Sequence, residues 1–156
     1  MARFTNQAQL RYGNAVANSN IAVGEILEVL SATKTAVRNT YEQNDTITYI
    51  ISIVNSGNTA FTGITVSDNL GSYNFDTETL VPLSYIPDTI KYYINGVLQA
   101  NPVVTAGPPL TVTGLSIPAN GNITIAYETA TNQFAPLGSG SVIRNTATIS
   151  GVGITP

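Results

Sequence analysis

Three polar residues stand on faces that the surrounding pattern reserves for a core. Lys34 falls in the alternation Leu30, Ala32, Lys34, Ala36, Asp68 follows Ile64 and Val66, and Asn145 sits with Ile143, Ala147 and Ile149. Burying a charge in such company costs several kcal/mol unless it is paired or neutralised. One chemistry removes that cost. A desolvated lysine gives up its proton, a carboxyl in the same apolar pocket is held protonated, and the neutral amine attacks the asparagine side-chain amide. Ammonia leaves, and an isopeptide bond joins Lys34 to Asn145 with Asp68 as the acid helper. The plainer arrangement is a Lys34–Asp68 ion pair with Asn145 capping backbone groups, or Lys34 extending its stem until the ammonium reaches water at an end of the fold.

The remaining candidates are weaker in pattern. Asn44-Asp45, Asp68-Asn69 and Asp76 offer oxygens to a Ca²⁺, but no loop has a recognisable ligand spacing. Turn-forming Asx residues account for them equally well. Asp45, Asp76, Glu78 and Asp88 lie in turn-like stretches with no aromatic platform for a sugar. Tyr85, Tyr92 and Tyr93, with Tyr73 and Phe75 nearby, form the one aromatic concentration. It suits a glycan- or peptide-binding surface, or plain cross-strand packing in a hairpin.

Composition excludes more than it selects. The 156 residues contain no Cys, no His and no Trp, which removes disulfides, thiolate or imidazole metal sites, and Ser-His-Asp or Cys-His nucleophiles. Only 10% of residues are charged, against a usual quarter, and the net charge is −3 with six basic residues. That leaves no footprint for nucleic acid or an anionic membrane surface. No enzyme, cofactor or metal is expected. No apolar run is long enough to suggest a membrane span, and MARFTNQAQL carries no apolar signal-like stretch.

The elements that would position the trio are strands. Ile, Val and Thr make up 50 of the 156 residues, the signature of pleated, half-buried surfaces. DTITYIISIVNSG places Ile47, Tyr49, Ile51 and Ile53 on one face, and NITIAYETAT alternates Ile123, Ile125 and Tyr127 against polar neighbours. TIKYYINGVLQ reads as a hairpin, because Asn95-Gly96 supplies the positive φ angles of a tight primed turn. Residues 23–36 have some helix propensity, but Thr33, Thr35 and Val37 favour a strand. Seven or more short strands with regularly spaced turns predict an all-β, immunoglobulin-like two-sheet sandwich over residues 25–156. Residues 71–88 are less regular and are expected to connect the two sheets.

Residues 1–24 are predicted to form an extra N-terminal strand. Phe4, Asn6, Ala8 and Leu10 repeat the pattern of Ile143, Asn145, Ala147 and Ile149, so the chain begins with something like its own final strand. Such a strand suits donation to a neighbouring copy, with Phe4, Ala8, Leu10 and Tyr12 entering the neighbour's core and Asn6 in the place of Asn145. That contact is heterologous and propagates as a head-to-tail homopolymer. The expected role is therefore a structural subunit of an extracellular, cell-surface or spore-surface fibre. The alternative is an adhesin module that binds glycan or protein through Tyr85, Tyr92 and Tyr93.

SATKTA, DTITYIISIVNSGNTAFTGITVSDNLG, IPANGNITIAYETAT and IRNTATISG, in that order over residues 27–151, resemble the repeats of domain of unknown function 11, found on prokaryotic surface proteins. The resemblance implies an immunoglobulin-like module that usually occurs in tandem. The Lys34, Asp68, Asn145 trio is also similar in type and strand placement to the bond-forming residues in immunoglobulin-like domains of Gram-positive adhesins.

Overall fold

The computed structural model describes the backbone pairing of residues 2–12 and 15–26, and residues 29–151 in full. Fourteen strands are described, and among the described residues there is no helix. They are β1 (Ala2–Tyr12), β2 (Ala15–Ile26), β3 (Leu30–Ala36), β4 (Thr46–Asn55), β5 (Phe61–Asp68), β6 (Tyr73–Phe75) and β7 (Glu78–Leu80), followed by β8 (Leu83–Tyr85), β9 (Lys91–Ile94), β10 (Val97–Leu98), β11 (Val103–Thr105), β12 (Leu110–Ile117), β13 (Gly121–Thr131) and β14 (Asn145–Ser150). One sheet runs β1-β2-β14-β5-β12-β11, and the second runs β10-β9-β13-β4-β3 with β8 also on β13. The chain is an all-β, immunoglobulin-like sandwich.

Alternation builds both inner faces. Along β4 every second residue from Ile47 to Asn55 is buried, and β13 is buried at every odd position from Gly121 to Thr131. The two strands pair antiparallel with Tyr49 opposite Tyr127 and Ile51 opposite Ile125. The first sheet contributes Ile64, Val66, Val112, Leu115, Ile117, Ala147 and Ile149 to the same core.

Turn chemistry follows the residues. Asn95 and Gly96 have φ angles of 47° and 80°, so the predicted primed turn joins β9 to β10. Gly71 has a φ of 74°, and a Cβ there would meet Ile143 Cγ2 at 2.6 Å. Only glycine gives both that backbone and that approach. Residues 71–88 do connect the sheets: β6 and β7 pair with each other, and β8 then joins β13 in the second sheet.

Two predicted elements are divided differently. Residues 23–36 are not one strand. Their first part ends β2 in the first sheet, and β3 begins at Leu30 in the second. The switch occurs within three residues, and alternation on either side carries no mark of it. The N-terminal segment is two strands rather than one. β2 runs parallel to β14, with Asn145 opposite Ser19, Thr146 opposite Asn20 and Ala147 opposite Ile21. β1 pairs antiparallel with β2, and both lie against β3. The side chains of Phe4, Asn6, Ala8, Leu10 and Tyr12 lie outside what is described.

Candidate functional site

Lys34 is contributed by β3, the outermost strand of the second sheet, whereas Asp68 ends β5 and Asn145 begins β14 in the first sheet. The lysine side chain therefore spans the gap between sheets. Its parity on β3 puts it inward with Leu30, Ala32 and Ala36, and its relative exposure is 0%, against 1% for Asp68 and 0% for Asn145. Lys34 Nζ lies 2.6 Å from Asp68 Oδ2 and 3.4 Å from the backbone carbonyl oxygen of Asn145. Sequence reasoning brought these three residues together, and the structure places them in one buried pocket.

Each oxygen of Asp68 is occupied. Oδ2 also accepts a hydrogen bond from the Tyr127 hydroxyl. Oδ1 accepts the Leu70 backbone N–H at 2.8 Å, closing an Asx-turn where β5 ends. Tyr127 is directly across from Tyr49, the rings stack with centroids 5.9 Å apart, and Lys34 Nζ lies 4.8 Å from the centroid of the Tyr49 ring. A cation at that distance from an aromatic ring is attracted by its quadrupole.

Electrostatics pull the lysine in two directions. Burial lowers its pKa from the usual ammonium range, and the charge and hydrogen bond of Asp68 oppose that fall. Both tyrosines are raised above the ordinary phenol value, first by burial and then by the negative charge of Asp68. A hydrogen bond from the Asn145 side chain works against the rise at Tyr49. Burial and Asp68 thus pull the amine in opposite directions, while both phenols stay protonated around a carboxyl held from three sides.

Asn69 fixes the two first-sheet members to each other. Its Oδ1 accepts from Gly71 N–H at 2.9 Å and from Thr146 N–H at 2.8 Å, while its own N–H donates to the Thr146 carbonyl at 2.9 Å. In the sequence Tyr127 and Tyr49 read only as strand-face residues, and Asn69 only as a candidate cation ligand or turn residue. The inward parity of the two tyrosines was readable, but their cross-strand register was not.

The other predicted sites disperse. Tyr92 is buried, and its hydroxyl donates to the Ser116 carbonyl at 3.0 Å and accepts the Ser116 N–H at 2.9 Å. It ties β9 to β12 across the sandwich and is not part of an exposed surface. Tyr93 and Tyr85 are half-buried, and Tyr73 donates to the Phe134 carbonyl at 2.7 Å. Asp45 accepts the Glu42 N–H at 2.8 Å and pairs with Arg38 at 3.0 Å, so it acts as a turn residue. Among the described residues no three acidic or other ligating side chains gather as a metal site.

No family model matches the chain, and no curated protein does. Among solved structures, the full-length RrgB pilus protein from Streptococcus pneumoniae is similar over 78% of this chain and 22% of its own, with 12% identity and a TM-score of 0.53. The RrgA Jo.In complex is similar over 70% of this chain and 65% of its own, with 10% identity and a TM-score of 0.51. This chain thus spans about a fifth of the full-length pilus protein and just under two thirds of the other. An exo-β-N-acetylglucosaminidase from Vibrio harveyi reaches a TM-score of only 0.42, at 13% identity over 67% of this chain and 13% of its own, and carries no argument. The first two likenesses concern the fold alone.

Proposed function

We propose that this chain is a non-enzymatic structural subunit of an extracellular, cell-surface or spore-surface fibre, of the kind built from domain of unknown function 11 repeats. It polymerises by adding its N-terminal segment as a strand to a neighbouring copy, and an isopeptide bond between Lys34 and Asn145 clamps each subunit. The observation that carries this reading is the completely buried Lys34, 2.6 Å from Asp68 Oδ2 and beside the first residue of the last strand. A buried ion pair is a poor way to gain stability. It is a good way to set up a reaction.

The chemistry uses this chain's own groups. A proton passes from Lys34 Nζ to Asp68 Oδ2, leaving a neutral amine and a carboxylic acid. The amine adds to the Asn145 side-chain carbonyl carbon, and the acid stabilises the developing oxyanion by hydrogen bonding. The proton lost by the new secondary amine goes to the departing amide nitrogen, which leaves as ammonia. Tyr127 and the Leu70 N–H hold the carboxyl in place. The product joins β3 to β14 across the two sheets, so tension entering near either end of the sandwich crosses it through a covalent bond.

The sandwich fold, similar to that of the RrgB pilus protein at a TM-score of 0.53, supports a fibre role. The adhesin alternative loses its central residue, since Tyr92 faces inward. Two measurements test the proposal. Negative-stain microscopy over a concentration series should show filaments rather than monomers. Intact-mass spectrometry should show the chain lighter than its sequence by one ammonia, and Asp68→Ala should restore the full mass. A monomer of unmodified mass at every concentration sinks the reading.

A further inference from the structure

We infer that Tyr49 is a catalytic residue of the clamp: its hydroxyl hands a proton to the departing nitrogen of Asn145 and takes one back from the Lys34 nitrogen. The inference rests on the isopeptide reading of this site and adds the group that moves the last proton. The two nitrogens that must exchange that proton are bonded to one carbon. A direct transfer between them passes through a strained four-membered ring, and a hydroxyl set between them widens the ring to six.

Tyr49 is placed to be that hydroxyl. It is fully buried on β4, which runs between β3 and β13 in the second sheet. Ala36 lies opposite Tyr49 and Lys34 opposite Ile51, so the lysine is the diagonal neighbour of Tyr49 on the inner face. Lys34 Nζ lies 4.8 Å from the centroid of the Tyr49 ring. From the first sheet, the Asn145 side-chain amide donates to the Tyr49 hydroxyl oxygen. Both nitrogens therefore lie against one side chain. Tyr127, stacked on Tyr49, has its hydroxyl committed to Asp68. Among the described residues, no acceptor takes the Tyr49 O–H. That proton is available to the reaction.

The contact reverses as the reaction proceeds. An amide nitrogen shares its lone pair with the carbonyl and acts only as a donor. Once Lys34 has added to the carbonyl carbon, the Asn145 nitrogen is tetrahedral and basic, and it accepts the Tyr49 O–H. An interaction made only after addition lowers the barrier and leaves the ground state untouched. The adduct carries a protonated Lys34 nitrogen, an oxyanion bonded by the Asp68 acid, and the amino group. The Tyr49 oxygen takes a proton from the Lys34 nitrogen while its own proton passes to the amino group. The C–N bond breaks, its electron pair leaves with ammonia, the carbonyl re-forms, and Tyr49 ends as it began. Ammonia carries off the Asp68 proton. Burial holds the Tyr49 phenol above its ordinary pKa, so the two transfers are coupled and no phenolate stands between them.

The test uses the full chain and Tyr49→Phe, which keeps the ring and removes only the hydroxyl. Ammonia loss is followed by intact mass against time in chain freshly made by cell-free translation, between about pH 6 and 8, where no free phenol ionises. The parent rate should be flat, since every proton comes from within the site. The variant should be about a hundredfold slower, the low end for general acid catalysis, and slower still as pH rises, because water must now supply the proton. Tyr127→Phe should be slower but flat, since Tyr49 remains. A Tyr49→Phe rate equal to the parent's overturns the relay. So does a slower rate with a flat profile, which would leave the hydroxyl as a group that only orients the amide. A second measurement does not depend on the variant folding. The parent rate in mixtures of light and heavy water should bow below a straight line, because two protons move together, and a straight line overturns the relay while the clamp stands. If the parent chain itself keeps its full mass, the clamp fails and this inference fails with it.

Discussion

Where β3 faces β14, the sandwich holds a lysine, an aspartate, an asparagine and two tyrosines with no water-exposed atom to spare, and the N-terminal hairpin extends the first sheet over that side. On the opposite flank, β10 is two residues long and β11 three, with Val97, Leu98 and Val103 exposed at 64%, 57% and 70%. Short strands blunt an edge against unwanted pairing, and Pro102 next to β11 removes a donor as well. The flank's interior is held by one neutral device, the Tyr92 hydroxyl bonded to both backbone groups of Ser116. The difference teaches that the two sides carry different kinds of risk. Removing one group on the flank loses a hydrogen bond, whereas removing one from the buried cluster strands a charge.

The sharpest way to break the comparison is Asp68→Ala. It prevents the clamp and leaves Lys34 buried without its anion, and urea unfolding should report a loss of at least about 3–5 kcal/mol. A loss below that range would mean the lysine finds water, and the near side would then be no different in kind from the flank.

Tyr127→Phe comes next. It deletes the hydroxyl that holds Asp68 Oδ2, at a cost of about 2 kcal/mol for a hydrogen bond to a charged acceptor, and should slow ammonia loss. pH sharpens the point. Tyr49 and Tyr127 have raised pKa values in the folded chain, so both states stay protonated below about pH 10. Above it only the unfolded chain ionises, and stability falls by about 1.4 kcal/mol per pH unit for each tyrosine. Lys34, lowered by burial, acts oppositely. Between its folded value and about 10.4 the unfolded chain holds the extra proton, so stability rises with pH. Unfolding curves from pH 7 to 12 should show both arms in unbonded protein. Tyr127→Phe should make the falling arm shallower, and the rising arm should vanish once Lys34 is an amide.

On the flank the effects shrink. Tyr92→Phe should cost about 1 kcal/mol through the Ser116 bonds and leave the rate of ammonia loss unchanged. A slower rate would show that the two sides communicate through the core. Leu98→Lys, on an exposed edge, should stay within about 0.5 kcal/mol by thermal melting, and a larger drop would mean that this edge is covered in the assembled protein.

Period two in the sequence determined which side of its own strand each residue faces. That was enough to turn Lys34, Asp68 and Asn145 inward, to set Ile47, Tyr49, Ile51 and Ile53 against the core, and to mark Asn95-Gly96 as a tight hairpin turn. The reason is local, because successive side chains of any strand alternate whatever lies beside it. Sheet membership and register are not local. The break between β2 and β3, the parallel union of β2 with β14, Tyr127 opposite Tyr49, and Tyr92 reaching Ser116 each depend on strands brought together over long separations. Alternation supplies a face but no neighbour. Only the closed sandwich decided that the lysine of one sheet would meet the aspartate of the other.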